Sequence, residues 1–235
     1  MTGHKAGLRS DILLSPFLRR LVGGAIWSGL SEGLSRGLMV ISMVIIARIL
    51  GDQAFGEFGL IRTTVGMFAT IGGVGLGLTA NRFVAQFRDS AKAKAGELIG
   101  STYALAVAFG LATGLVVFVC SDLLAAEVFY QPSLGGSLRY AAIILVLSSL
   151  NGAQIGVLQG LEAYNQLAIA NLVQGIVGVG AFAVGAKTAG VDGALFALIL
   201  YSSVGLIAYQ LVIRRALAAM DIRLNFAAIS STLPI

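Results

Sequence analysis

Long apolar stretches alternate with short polar ones along this chain, and their lengths match what a bilayer demands. A helix rises about 1.5 Å per residue, so crossing a hydrocarbon core of about 30 Å takes about 20 largely apolar residues. Residues 98–121, 140–161, 163–186 and 193–213 meet that length without a break. Residues 54–80 form another such stretch, with Arg62 near its start. Residues 21–50 form the first, interrupted by Glu32 and Arg36. A charged pair inside so long an apolar run still reads as one tilted helix. The pattern predicts an all-α membrane protein, a bundle of about six transmembrane helices over residues 21–213. Residues 1–20 form a polar tail before it, and residues 214–235 a basic segment after it.

The lysines and arginines set the orientation, because cytoplasmic loops carry the excess of them. Lys5, Arg9, Arg19 and Arg20 precede the first span, Arg82, Arg88, Lys92 and Lys94 surround the connection after the second, and Arg214, Arg215 and Arg223 follow the sixth. All fall on one side of a six-span bundle, and the other side keeps only Arg139 and Lys187 in its connections. Both ends are therefore expected in the cytoplasm, with the connections near Asp52 and 122–131 facing outward. The N-terminal segment lacks the short apolar core and cleavage site of a signal peptide.

Composition agrees. The chain is 57% apolar and 11% charged with a mean hydropathy of +0.90, against roughly 25% charged residues in a soluble domain. A net charge of +5 would suit nucleic acid, but the basic residues flank apolar runs and form no basic face interleaved with aromatics. Nucleic acid is thereby excluded as a partner, and the lipid bilayer is the first partner implied. His4 and Cys120 are the only residues of their kinds, which removes disulfides, metal sites and Cys–His chemistry. No phosphate-binding G-x-x-x-x-G-K-[ST] loop occurs either. The expectation is a protein that is not an enzyme and carries no cofactor and no metal.

Two glycine repeats stand out, Gly29–Gly33–Gly37 in the first span and Gly152–Gly156–Gly160 in the fourth. Residues four apart turn only about 40° around a helix, so each repeat makes a smooth groove where another backbone can dock. The cluster Gly72, Gly73, Gly75 and Gly77 lies inside the second span and reads as a kink, not as a dinucleotide loop, which needs a preceding strand.

Charge inside the membrane is expensive, about 2.5–3.5 kcal/mol per group on insertion scales. Glu32 and Arg36 are four residues apart, so they can pair on one helix face beside the glycine groove. They form either a self-neutralising structural pair or a cationic or proton-linked site in a central cavity, and the expense favours the site. Arg48 and Arg62 bracket Asp52 and Glu57 and are explained by pairing with those acids or by snorkelling outward. Asn151, Gln154, Gln159, Asn165, Gln166, Asn171 and Gln174 either line a polar path or hydrogen-bond helix to helix.

A resemblance sharpens this picture. Residues 47–60, ARILGDQAFGEFGL, resemble the ARxLGxxxFGxxxL segment that links the first two spans of bacterial polysaccharide flippases. Residues 75–80 followed by Arg82, and residues 157–162 after the fourth span, are similar to later segments of the same family. The resemblance is to the O-antigen and exopolysaccharide branch of the multidrug/oligosaccharidyl-lipid/polysaccharide exporter superfamily. It implies a multi-pass protein of the bacterial inner membrane. Such a protein moves a polyprenyl-diphosphate-linked glycan outward by alternating access, alongside polymerase and glycosyltransferase partners. By that resemblance Arg36 is the first candidate to meet the diphosphate, Arg62 and Arg48 stand behind it, and Glu32 is a counter-ion or coupling group.

Members of this family have two lobes, as a duplicated architecture requires, and this chain offers one. Its last residues, Leu233, Pro234 and Ile235, resemble the start of a seventh span. The expectation is a half-length member that is truncated, split or completed by a second lobe or copy. Two other functions stay open: a drug/cation antiporter of the same superfamily, which would favour intramembrane acids, and a non-transporting scaffold in a polysaccharide assembly complex.

Overall fold

The computed structural model describes the backbone of residues 16–70 and 75–224, and within those ranges the side chains from residue 33 onward, Ser35 excepted. The described residues form α1 (Pro16–Ala69), α2 (Gly75–Phe87), α3 (Lys92–Val119), α4 (Gly135–Gly160) and α5 (Tyr164–Met220), with short helical turns filling 121–134. Four of the helices are long and apolar enough to cross a membrane. Two of those four are broken, which brings the crossings to six.

The breaks can be read from distances. A straight helix as long as α5 would reach about 85 Å, nearly three bilayer cores. Instead the Tyr209 hydroxyl donates to Asn171 Oδ1 at 2.7 Å, although 38 residues separate them. The chain reverses at Ala189–Gly190, where Gly190 has φ 59° and ψ −131°. In α1 it reverses at Gly51, with φ 74° and ψ 179°, so that Arg62 reaches Met43, 19 residues earlier, at 3.6 Å. A side chain at either φ would be strained, and glycine is not. Residues 52–69 together with α2 make the second crossing, so the six expected spans are all accounted for. The helices run past the apolar limits: α3 begins at Lys92 and α5 continues to Met220. There Asp221, at φ 53°, ends it with its N–H on the Ala218 and Leu217 carbonyls.

Two apolar clusters hold the bundle. One joins Ile46, Phe58, Ile61, Leu138, Phe182 and Leu195 near the reversals, with Phe58 set edge-on to Phe182 at 6.4 Å. The other joins Val84, Ile99, Val157, Leu158, Ile213 and Leu217 at the opposite end. Between them α2 lies against α4 with almost no side chain intervening: a Cβ on Gly77 would meet the Gly152 carbonyl, one on Gly156 would meet the Gly77 backbone, and one on Gly160 would meet Asn81 and Val84. The expectation for the first span is corrected. A Cβ on Gly33 or Gly37 meets nothing within 4 Å among the described residues, so no described helix docks on these positions, and Gly29 lies outside the described side chains.

The connections sort into two ends of unlike charge. At one end Arg88 pairs with Glu162 at 2.8 Å and donates to the Gly160 carbonyl at 3.3 Å. Lys92, Asp221 and Arg223 line a shared recess there. At the other, Gln131 donates to Glu57 at 3.2 Å, Ser137 to Asp192 at 2.7 Å, and Arg139 pairs with Asp122 at 3.0 Å.

Candidate functional site

The two apolar clusters leave a polar layer at mid-height, because the residues between them on α4 and α5 are amides and hydroxyls. Five residues separate Leu145 of one cluster from Asn151 less than two turns on, and Val157 of the other lies as far beyond it. Asn151 and Gln174 are buried. Asn151 Nδ2 donates to the Ser202 carbonyl at 3.0 Å and Gln174 Nε2 to the Tyr201 carbonyl at 3.1 Å. Tyr209 donates to Gln174 Oε1 at 2.7 Å. Asn81 donates weakly to Gln159 at 3.4 Å, across the α2–α4 contact. The two alternatives raised by these amides are therefore not exclusive. They bind helix to helix and also line a cavity of about 590 Å³, whose wall includes Asn151, Gln159, Gln174, Tyr201, Ser202 and Tyr209. Asn151 Oδ1 is buried with no partner among the described residues. Asn165 and Gln166 sit exposed at the start of α5, away from this layer.

Arg62 stands on the rim. It lines this cavity and also a second cleft of about 520 Å³, which it shares with Arg36, Met39, Met43 and Phe55. The expectation that Arg62 belongs with Asp52 and Glu57 is corrected. Its guanidinium lies against Met43 Sδ, whereas Glu57 is held by Gln53 and Gln131. Arg62 follows Gly51 by eleven residues of helix, about 16 Å, which is half a bilayer core. Arg48 lies three residues before the Gly51 reversal, exposed, and lines neither space. The structure thus brings Arg36 and Arg62 to one cleft and leaves Arg48 apart. The side chain of Glu32 lies outside the described residues, as does any pairing it makes with Arg36. No carboxylate is among the described residues lining either space.

A family model described as polysaccharide biosynthesis protein matches residues 21–233. This chain belongs to that family. No curated protein matches this family member. Among solved structures it is similar to a MOP superfamily transporter from Pyrococcus furiosus, for which a reverse polarity of the binding pocket suggests a different function. The two superpose with a TM-score of 0.66 at 16% identity, over 89% of this chain and 47% of the other. The likeness establishes a shared helical fold, and the chain spans about half the length of that transporter. Family membership and the apolar helices together make it a multi-pass membrane protein.

Tyr201, Tyr209 and Ser202 escape a reading of the sequence alone, since tyrosine and serine are ordinary in membrane helices. For Arg62 a signal did exist. Phe58, Arg62 and Val65 recur at helical spacing on one face, and Phe58 and Val65 are core. Glu57, five residues before Arg62, is turned about 140° away.

Proposed function

We propose that the chain forms one lobe of a carrier for a polyprenyl-diphosphate-linked oligosaccharide. It passes that substrate across the bacterial inner membrane by alternating access, for O-antigen or exopolysaccharide synthesis. The observation that carries this reading is Arg62, a half-buried cation at membrane mid-depth between two spaces without a described carboxylate. A cation kept there costs several kcal/mol and is balanced best by an anion that comes and goes. A diphosphate offers the fork of a guanidinium paired acceptors, and the neutral amide wall beside it suits sugar hydroxyls. Arg36, on the same cleft, is its partner in this role.

The charge of the two ends supports the direction of travel. The end with Arg88, Lys92, Arg214 and Arg223 faces the cytoplasm by the positive-inside rule, so the anionic substrate is loaded there. An antiporter of cationic drugs would need an acid where Arg62 stands. A scaffold would need no ion in the bilayer.

The test is export in a host whose own copy of the gene is replaced by variants of the full protein. With Arg62→Ala, membrane insertion persists, surface polysaccharide falls at least tenfold and the lipid-linked glycan accumulates on the inner leaflet. Arg62→Lys restores part of the export, since it keeps the charge but loses the fork. Export at the parental rate by Arg62→Ala would remove the cation from the mechanism and the proposal with it.

A further inference from the structure

A second polar space lies on the flank of the bundle and shares no lining residue with the cavity beside Arg62. It measures about 360 Å³ and lies between α3, α4 and the second half of α5. Leu206, Ile207 and Leu211 form apolar walls, and Ile207 and Leu211 are exposed at 61% and 51% on a surface that faces lipid. Its floor is polar. Tyr103 donates to Gln210 Oε1 at 2.9 Å, and Gln154 Nε2 donates to the same oxygen at 2.9 Å. Gln210 Oε1 thus accepts both bonds, and its Nε2 donor takes no partner among the described residues. Gln154, only 1% exposed, has an Oε1 with no partner among the described residues. An amide floor with spare capacity is an odd thing to turn toward hydrocarbon, where an unsatisfied polar group is costly.

Arg214 completes the space. It sits one helical turn beyond Gln210 toward the basic end, about 9 Å short of the helix terminus at Met220. It is also the first residue past the apolar stretch 193–213, where a span of that length passes into the headgroup layer. Apolar walls, an amide donor one turn deeper and a cation above it reproduce, in order, the acyl chain, the ester and the phosphate of a glycerophospholipid.

We propose that this groove is a binding site for one anionic glycerophospholipid of the cytoplasmic leaflet. Its phosphate lies on Arg214, its ester carbonyl accepts from Gln210 Nε2, and a bridging water satisfies Gln154 Oε1. Ester carbonyls separate such a lipid from a polyprenyl phosphate, which has none to offer Gln210. The net negative charge selects it over a zwitterionic lipid, whose amine Arg214 repels.

The purified full chain in detergent, titrated with dioleoyl phosphatidylglycerol and followed by native mass spectrometry, tests this. One lipid binds ahead of all others, about tenfold more tightly than phosphatidylethanolamine, and undecaprenyl phosphate does not displace it. Arg214→Ala weakens binding about tenfold. Arg215→Ala, which removes an equally basic neighbour that lies outside the groove, leaves it within twofold. Gln210→Glu keeps an acceptor for both floor bonds but removes the Nε2 donor and repels the phosphate, and also loses the lipid. Equal losses from Arg214→Ala and Arg215→Ala would reduce the effect to general surface charge and overturn the site. So would equal binding of the zwitterionic lipid, or displacement by undecaprenyl phosphate. Glycerol 3-phosphate, which lacks acyl chains, binds no better than chloride; saturable binding of it would make the groove a soluble-phosphate site and equally overturn the proposal. None of these readouts depends on Arg62 or on export.

Discussion

Gly156→Ala isolates the contact that sets the width of the polar layer. The added Cβ would fall on the carbonyl, carbonyl carbon and Cα of Gly77. All three are backbone, so no rotamer change makes room, and α2 must move off α4. Overpacking of this kind costs about 1–3 kcal/mol. Here the upper half of that range applies, because a shift at Gly77 also lifts Val84 and Asn81 from Gly160, their other contact on the same face. Alanine returns up to about 1 kcal/mol of helix propensity. The net expectation is a loss of about 1–2 kcal/mol. Gly180→Ala is the matched control: it lies within α5 with nothing within 4 Å of its Cβ, so it gains propensity and loses no contact. Equilibrium unfolding of the purified full chain in mixed micelles, by added dodecyl sulfate, reads both. Gly77→Ala meets the Gly152 carbonyl at 2.7 Å and strains the same interface, so the double variant falls short of the sum. If Gly156→Ala unfolds within 0.5 kcal/mol of the parent, or Gly180→Ala loses as much, backbone docking does not hold these helices.

Tyr209→Phe strips the donor shared by Asn171 and Gln174 and leaves two acceptors unmet, which lowers stability by about 1–2 kcal/mol in the same micelle assay; an unchanged midpoint would deny the network any structural weight. Arg88→Ala frees Glu162 and the Gly160 carbonyl and costs about 1 kcal/mol. That loss is the same across neutral pH. Burial alone would lower the Arg88 guanidinium, but its hydrogen bonds to Glu162 and Asp89 hold it above its usual value, so the charge is present throughout that range. In a Cys120→Ser background, Asp89→Cys is labelled by an impermeant maleimide only in inverted vesicles and Glu127→Cys only in intact cells; the reverse pattern would invert the two ends.

The crossings could be read from the sequence because only one physical quantity was needed, apolar length. The reversals could be read where glycine marks them: Gly51 is followed by Asp52 between two apolar runs, and Gly190 stands in the short gap between residues 186 and 193. Helix ends were less legible, since Lys92, Arg214 and Arg215 are good helix formers and nothing stops the backbone where the greasy stretch stops. The glycine repeats show the limit of a motif. Gly33–Gly37 and Gly156–Gly160 have the same spacing, yet among the described residues one meets nothing within 4 Å and the other a neighbouring backbone. Spacing makes a groove. Which helix fills it is decided by the fold, and no local pattern carries that.

The candidate site was harder to see for a related reason. Pairing logic is one-dimensional, and it joined Arg62 to the nearest acids in the chain. The reversal at Gly51 makes the position three-dimensional: it folds the second crossing back along the first, so the neighbours of Arg62 become Met39 and Met43. On the helix itself, Glu57 points the other way. The face shared with Phe58 and Val65 is the better guide, because a helix turns the face that carries its core residues toward the bundle. The same argument separates Arg62 from Arg48. Both are arginines in long apolar helices, but Arg48 lies within a turn of the reversal, where its stem can carry the charge out to water. Arg62, about 12 Å deeper, has no such exit, and its desolvation is tolerable only if the cavity beside it admits water or an anion.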